Sequence, residues 1–401
     1  MRVHVVDPSA YTPPYDRALC AALAGAGAEV ELFTSRFAYG AVPAADGYVV
    51  HEAFYRAHLA RLPAPRRRPP ALTGARPALT DAPDPAALPS APAAVSHSRQ
   101  AAKLAQHVPD MLRYRRRARE ADVVHFQWLA VQPVDVHLLP RDRPLVLTAH
   151  DVLPRQPRPG QLSAQRRLYE RVDAVVVHSQ RGRQRLVEEL GVDAARVHVI
   201  PHGALTSRAP TPGPDVVPLP PELAEVQGPV VLCFGLMRPY KGIDLLLEAW
   251  RGIEDAELWI VGMPRMDIAP LRRAAPPGVR FVARFVEDRE QPAFFDRADL
   301  VVLPYREIDQ SGVASTALGF GSPLLLTDVG GFPDIAATGA ARLVPAHDPR
   351  ALHGALVDLL ADEPARARMT DAAAAATAGP FSWETVARRT LSLYEQLVQA
   401  R

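Results

Sequence analysis

The chain is almost without lysine: of its 46 cationic residues, only Lys103 and Lys241 are not arginine. Cysteine is nearly absent too. Cys20 and Cys233 lie far apart in apolar runs, which excludes a disulfide framework or a thiolate metal site and points to a reducing cytoplasm. No apolar stretch approaches the ~18–20 residues of a membrane span. The start, Met1-Arg-Val-His-Val-Val-Asp7, reaches an acid too soon for a signal peptide and reads as a first strand. No Gly-x-Gly-x-x-Gly follows that strand, which argues against a nicotinamide dehydrogenase. No Asp-x-Asp pair stands in a metal-binding context, so neither a metal nor another cofactor is expected. The formal net charge is only +2, and no nucleic-acid partner is expected.

The near-neutral total hides an asymmetry. Residues 1–203 carry 27 Lys+Arg against 19 Asp+Glu, or +8, and the remaining 198 carry 19 against 25, or −6. A basic first half suits an anionic acceptor, the inner face of a membrane touched peripherally, or simply an arginine-rich surface.

At 401 residues the chain suits two domains of about 150–200 residues each. Short β-rich runs alternate with helical stretches. In the first half these are Val3–Val6, Val30–Thr34, Val123–Gln127, Leu145–Ala149, Ala174–His178 and Val197–Ile200, with a helix over Tyr15–Ala28. A second series runs through Val230–Phe234, Leu258–Val261, Val279–Val282, Leu300–Leu303, Leu324–Thr327 and Ala341–Val344. This alternation predicts two parallel, doubly wound α/β sheets with a ligand cleft at their strand C-terminal edges. The expected division is an acceptor-binding domain 1–203, a Pro-rich linker 204–228, a donor domain 229–379 and a last helix within 380–401. Residues 62–96, rich in Pro and Ala, read as an extended or mobile insertion. Arg113-Tyr-Arg-Arg-Arg-Ala-Arg119 is either a solvated helix face or a contact for an anionic surface.

The pattern that carries most chemistry is Val231-Leu-Cys-Phe-Gly235-Leu-Met-Arg238-Pro-Tyr-Lys241-Gly242. An apolar strand runs into Gly235, a loop presents Arg238 and Lys241, and Gly242 leads into a helix. Two cations beside a helix N-terminus make a ready anion site. A compact ammonium and a planar guanidinium are not interchangeable against a phosphate oxygen, so a lysine kept in an arginine-writing chain marks Lys241. Thr327-Asp-Val-Gly330-Gly331-Phe-Pro-Asp334 places two glycines between strand and helix, where backbone N–H groups can approach a phosphate. Gln310-Ser311-Gly312 follows the preceding strand and would line the same side of the cleft.

These residues resemble a known family. Phe-Gly235-x-x-Arg238-x-x-Lys241-Gly242, followed by Ala298-Asp-Leu-Val-Val-Leu-Pro304, is similar to the retaining glycosyltransferases of family four, which have the GT-B fold. Thr148-Ala-His150-Asp151, His178-Ser179, Ile200-Pro-His-Gly203, Gly319-x-Gly321-x-Pro323 and Phe381-x-Trp383 extend the likeness over nearly the whole chain. Gln310-Ser311-Gly312 resembles a subgroup that assembles bacterial polysaccharides. The resemblance implies that Arg238 and Lys241 hold the donor diphosphate, with Gly330 and Gly331 against the same region. It implies His150 beside the transferred sugar on the acceptor side and Arg284 near the nucleotide base. It implies that the last helix crosses back to pack on the N-terminal domain.

The family's acidic motif, Glu and seven residues on another Glu, departs here. Anchored on Gly321-Ser-Pro323, Thr316 stands where the second Glu belongs and Ile308 where the first belongs, with Glu307 one place away. The N-terminal glycine loop is replaced by Tyr11-Thr-Pro-Pro-Tyr15-Asp16. Asp16 either caps the first helix or lies near the donor. Trp128, in His125-Phe-Gln-Trp128, touches the acceptor or is a buried strand end. His150 either steers a hydroxyl, since imidazole both donates and accepts, or is packed at its strand end.

The expected reaction is metal-independent transfer of a hexose from a UDP- or GDP-linked sugar to a glycan, lipid-linked or small-molecule acceptor. The catalytic set would be His150, Arg238, Lys241 and Glu307. Gly235, Arg284, Gln310, Ser311, Gly312, Thr316, Gly330 and Gly331 would serve the donor, and Tyr15, Asp16 and Trp128 the acceptor. A nucleotide-sugar epimerase on the same fold and a non-catalytic sugar-nucleotide-binding relative are the alternatives.

Overall fold

The computed structural model describes residues 1–37, 42, 44–56, 97–129, 131–154, 157, 159–205 and 217–401. The proline-rich stretch 62–96 and residues 206–216 lie outside these. The described residues form two compact units, one of residues up to Pro201 with Trp383–Arg401, the other His202–Ser382.

The first unit is built on seven parallel strands: β1 (Arg2–Asp7), β2 (Glu29–Ser35), β3 (Val49–Phe54), β4 (Val123–Phe126), β5 (Leu145–Thr148), β6 (Ala174–Val177) and β7 (Val197–Val199). Their order is β3-β2-β1-β4-β5-β6-β7. The central strands are covered on both faces, so they read as unbroken apolar runs; every residue of β4, β5 and β6 is buried. β3 is the strand that sequence reading omits. It lies at the sheet edge with most residues partly exposed, and its alternation is correspondingly weak.

The helix Pro13–Gly25 starts on proline, carries Asp16 in its first turn and turns Tyr15, Leu19, Cys20 and Leu23 inward. Against it packs the last helix, Trp383–Gln399. Val386, Ala387, Leu393 and Tyr394 join the same core, each large side chain contributing about 1.5–3 kcal/mol. The Tyr394 hydroxyl meets His125 Nδ1 at 2.6 Å, and the Thr148 hydroxyl meets His125 Nε2 at 2.8 Å. Burial pushes the His125 pKa down to about 3, keeping it neutral. His125 is therefore a packing residue, and the C-terminal helix belongs to the first unit, as the family resemblance implies.

The second unit holds β8 (Val230–Phe234), β9 (Glu257–Val261), β10 (Val279–Val282), β11 (Leu300–Leu303), β12 (Leu324–Thr327) and β13 (Ala341–Val344), in the order β10-β9-β8-β11-β12-β13. All pairings are parallel. The stretch 204–228, read as a linker, is fastened to this unit at its described ends. The Ala204 N–H donates to the Phe381 carbonyl, the Leu205 N–H to the Ser315 carbonyl, and Leu223 is fully buried. No helix among the described residues is long and apolar enough to cross a membrane. In the basic run, Arg113, Arg117 and Arg119 pair with Asp110, Glu120 and Asp142, so it carries less unpaired charge than its sequence suggests.

In each sheet the strand order reverses at one place, between β1 and β4 and between β8 and β11. There the loops leaving two neighbouring strands diverge and open a crevice at their carboxyl ends. The candidate residues concentrate at these two points.

Candidate functional site

In the second unit the loop after β8 and the segment after β11 are tied backbone to backbone. The Arg306 N–H donates to the Tyr240 carbonyl at 2.8 Å, and its guanidinium reaches the Pro239 carbonyl and forms a fork with Asp244. Pro239–Lys241 is a 3-10 turn ended by Gly242 at φ +67. A Cβ on Gly242 would lie 2.0 Å from the Pro304 carbonyl oxygen. The close approach and the left-handed backbone both require glycine there.

The loop buries Lys241 to 8% exposure, unusual for the residue type least often found inside. Its Nζ donates to the Tyr305 hydroxyl at 2.5 Å and lies 3.8 Å from that ring's centre. Burial raises the Tyr305 phenol well above its ordinary value, so it stays protonated, and the neighbouring Ser311 side chain acts against that rise. Arg238 is exposed at the start of the same turn. Sequence reading expects help from the following helix, but Ile243–Ala249 is short and carries Asp244 in its first turn. The site's positive charge is that of Lys241 and Arg238.

Gln310-Ser311-Gly312 enters the same arrangement through Ser311, which caps the helix Gly312–Gly319 by accepting from the Ala314 N–H. The Gln310 amide oxygen is buried without a partner. Gly330 and Gly331 pack on this segment: a Cβ on Gly330 would lie 1.9 Å from the Ile308 carbonyl, and the Gly331 N–H donates to the Asp309 carbonyl. Gly235 stands beside the ammonium, 4.0 Å from Nζ to where its Cβ would be. Three further predicted residues have the following surroundings. Thr316 spends its hydroxyl on the Gly312 carbonyl of its own helix at 2.9 Å. Arg284, beyond the edge strand β10, forms a fork with Glu290. Glu307 is exposed. Tyr305 is the residue that sequence reading misses; its signal is an aromatic next to Pro304 at the strand end.

In the first unit, a hydrogen-bonded chain crosses the tops of four strands. The His178 Nδ1 faces the Ile200 carbonyl at 3.0 Å, and its Nε2 faces His150 Nδ1 at 3.1 Å. A carbonyl only accepts, so His178 carries a proton on Nδ1. His150 Nε2 lies 3.3 Å from the Gln127 side-chain oxygen. Trp128 stacks on the His150 ring at 5.0 Å and 13°, and Tyr15 meets that ring edge-on at 4.8 Å. The Trp128 indole N–H donates to the Thr12 hydroxyl, which donates to Asp16.

Asp16 and Asp7 are buried and hydrogen-bonded to each other. Asp7 also accepts from the backbone N–H of Ser9, Tyr11 and Thr12. Burial raises both carboxyls, Asp16 well above its ordinary 3.8, aided by the neighbouring Asp7 charge. Asp7's N–H donors favour its charge, so Asp16 holds the shared proton. A raised native value means stability that is full below 3.8 and lost as pH rises through the raised value. Asn at position 16 keeps a donor for Asp7 and cannot ionise. The melting temperature of Asp16→Asn should therefore fall less steeply than that of wild type as pH rises above about 4. Parallel curves would refute the shared proton.

His150, Trp128 and Gln127 line a cavity of about 250 Å³ with Asp151, Gln165 and Tyr169. Gln127 and Gln165 are 0% and 3% exposed, and each has one amide atom without a partner. Such groups are costly unless something bonds to them.

A family profile described as "Glycosyltransferase Family 4" matches residues 78–208, and one described as "Glycosyl transferases group 1" matches 228–362. A D-inositol 3-phosphate glycosyltransferase of Kineococcus radiotolerans is 30% identical over 337 residues, covering 71% of this chain and 73% of that protein. Sucrose-phosphate synthase of Thermosynechococcus elongatus superposes with TM-score 0.70 at 19% identity over the whole of both chains. Anabaena HepE, solved with UDP-glucose, does so with TM-score 0.69 at 18% identity, over 99% of this chain and 100% of that one. These structural likenesses bear on the fold, two Rossmann-like units of the GT-B type, and the sequence relatives on the activity. The chain belongs to family four of the glycosyltransferases and is itself a glycosyltransferase.

Proposed function

We propose that the chain moves a hexose from a UDP- or GDP-linked sugar to a hydroxyl of a glycan, lipid-linked or small polyol acceptor, with retention at the anomeric carbon, in polysaccharide or glycoconjugate assembly. The observation that carries this reading is the buried Lys241 ammonium at the second unit's switch point. As the C1–O bond to the diphosphate breaks, its electron pair stays on the leaving group. A fixed ammonium, the Arg238 guanidinium and the Gly330 N–H stabilise that charge without reorganising. They do so in place of a divalent metal. The acceptor oxygen forms the new bond to C1, and its proton passes to the departing diphosphate; attack on the face that the diphosphate leaves retains the configuration.

The first unit's cavity supports a polyol acceptor. The unpartnered amide atoms of Gln127 and Gln165 suit hydroxyl groups, which both donate and accept, and the His150 ring lies beside them. The inositol phosphate named for the Kineococcus relative and the UDP-glucose held by HepE agree in chemistry with these two sites.

A panel of UDP-, GDP-, ADP- and TDP-sugars tests the reading. One donor should release its nucleoside diphosphate, and EDTA should leave the rate unchanged. With an acceptor found, Gln127→Ala should raise the acceptor KM about tenfold and leave the donor KM alone. Binding of none of the donors would sink the proposal.

A further inference from the structure

Lys241 is one of two lysines in a chain that otherwise writes its cations as arginine, and its surroundings give a reason. Three groups stand close to the ammonium. On one side is the Gly235 backbone, where any side chain would also meet Val313 at 2.9 Å. On the others are the Tyr240 ring at 5.6 Å and Tyr305, with its hydroxyl at 2.5 Å and its ring centre at 3.8 Å. This space admits a compact ammonium; a planar guanidinium with five N–H bonds needs more room and more acceptors. Tyr305 itself is fully buried, so its hydroxyl cannot turn to water. Ser311, the cap of the helix Gly312–Gly319, lies beside it. The Lys241–Tyr305 bond thereby links the loop after β8 to the segment after β11.

We propose that Tyr305 is the positioning residue of the donor site: it holds the Lys241 ammonium where the diphosphate is met, and it is why position 241 is lysine. This rests on the donor reading given above. A hydroxyl partner fixes the ammonium's direction, and the ring face stabilises its charge in a place from which water is largely excluded. Tyr305 touches no reacting atom; it acts through Lys241.

Calorimetric titration with UDP and GDP, and with uridine and guanosine, separates positioning from mere packing. Tyr305→Phe keeps the ring and removes the hydroxyl. It should weaken the preferred nucleoside diphosphate about tenfold, the size expected for a hydrogen bond to a charged group, and leave nucleoside affinity unchanged. In a Lys241→Ala background the same change should cause no further loss, because the two act as one unit. Equal losses in both backgrounds, equal losses for nucleoside and diphosphate, or wild-type affinity in Tyr305→Phe would each overturn the inference. Should the phenylalanine variant not fold, Tyr305→Met, which removes the ring and the hydroxyl together, tests both contacts to the ammonium at once. A wild type that binds neither diphosphate removes the donor reading and this inference together. Wild-type binding that is lost in Lys241→Ala but kept in Tyr305→Phe removes the inference alone.

Discussion

Replacing Lys241 by alanine is expected to slow release of nucleoside diphosphate from the donor by about 100–1,000-fold, or about 3–4 kcal/mol, the range seen when one preorganised donor to a developing charge is removed. Arginine should fail to rescue it and stay within about tenfold of alanine, although it keeps the charge. The geometry sets this order. The ammonium is 8% exposed, between Tyr305 and the Gly235 backbone. The guanidinium would have to leave that place or push β8's loop outward. Steady-state rates on the preferred donor, with melting temperatures to show that each variant is folded, decide the matter. Arginine at above a tenth of wild-type turnover would mean that charge alone suffices and that the cradle is incidental.

The contrast between the two cations also shows what was legible in the chain. Twelve of the thirteen strands can be read because parallel, doubly covered strands are apolar runs between turns, and β8 and β11 are buried almost throughout. β3 was not, since an edge strand with polar positions on both faces gives no period. Lys241 was visible from composition alone, and the 235–242 loop from its glycines. Tyr305 was not, because nothing in an isolated Pro-Tyr dipeptide says that its hydroxyl lies 64 positions from its partner. The same holds for the chain from Asp7 through Asp16, Thr12 and Trp128 to His150. Its members come from the ends of β1, β4 and β5, and only the strand order makes them neighbours. Thr316 and Arg284 were placed by likeness to a motif, and the fold gives their polar groups local partners, the Gly312 carbonyl and Glu290. Motif position fixes where a side chain starts, and burial and hydrogen bonding decide what it meets.

Gly242→Ala should abolish diphosphate binding to the level of Lys241→Ala without touching a ligand atom. Its expected effect separates into two parts. An L-residue at φ +67 costs about 1–2 kcal/mol in any surroundings. The Cβ would also lie 2.0 Å from the Pro304 carbonyl oxygen, a contact that no rotamer relieves because both atoms belong to backbone-fixed positions. The loop must retreat from β11, and the Arg306 N–H bond to the Tyr240 carbonyl and the Lys241 bond to Tyr305 lie in its path. Gly252 provides the control, at φ +83 with nothing within 4 Å of its would-be Cβ. Gly252→Ala should lower stability by the same conformational cost, about 1–2 kcal/mol, and leave diphosphate affinity unchanged. The difference between the two variants in affinity, at matched losses of melting temperature, measures what close apposition of the two loops contributes to the donor site. Equal affinities in both would mean that the site tolerates separation of the loops, and that Lys241 reaches the diphosphate without Tyr305.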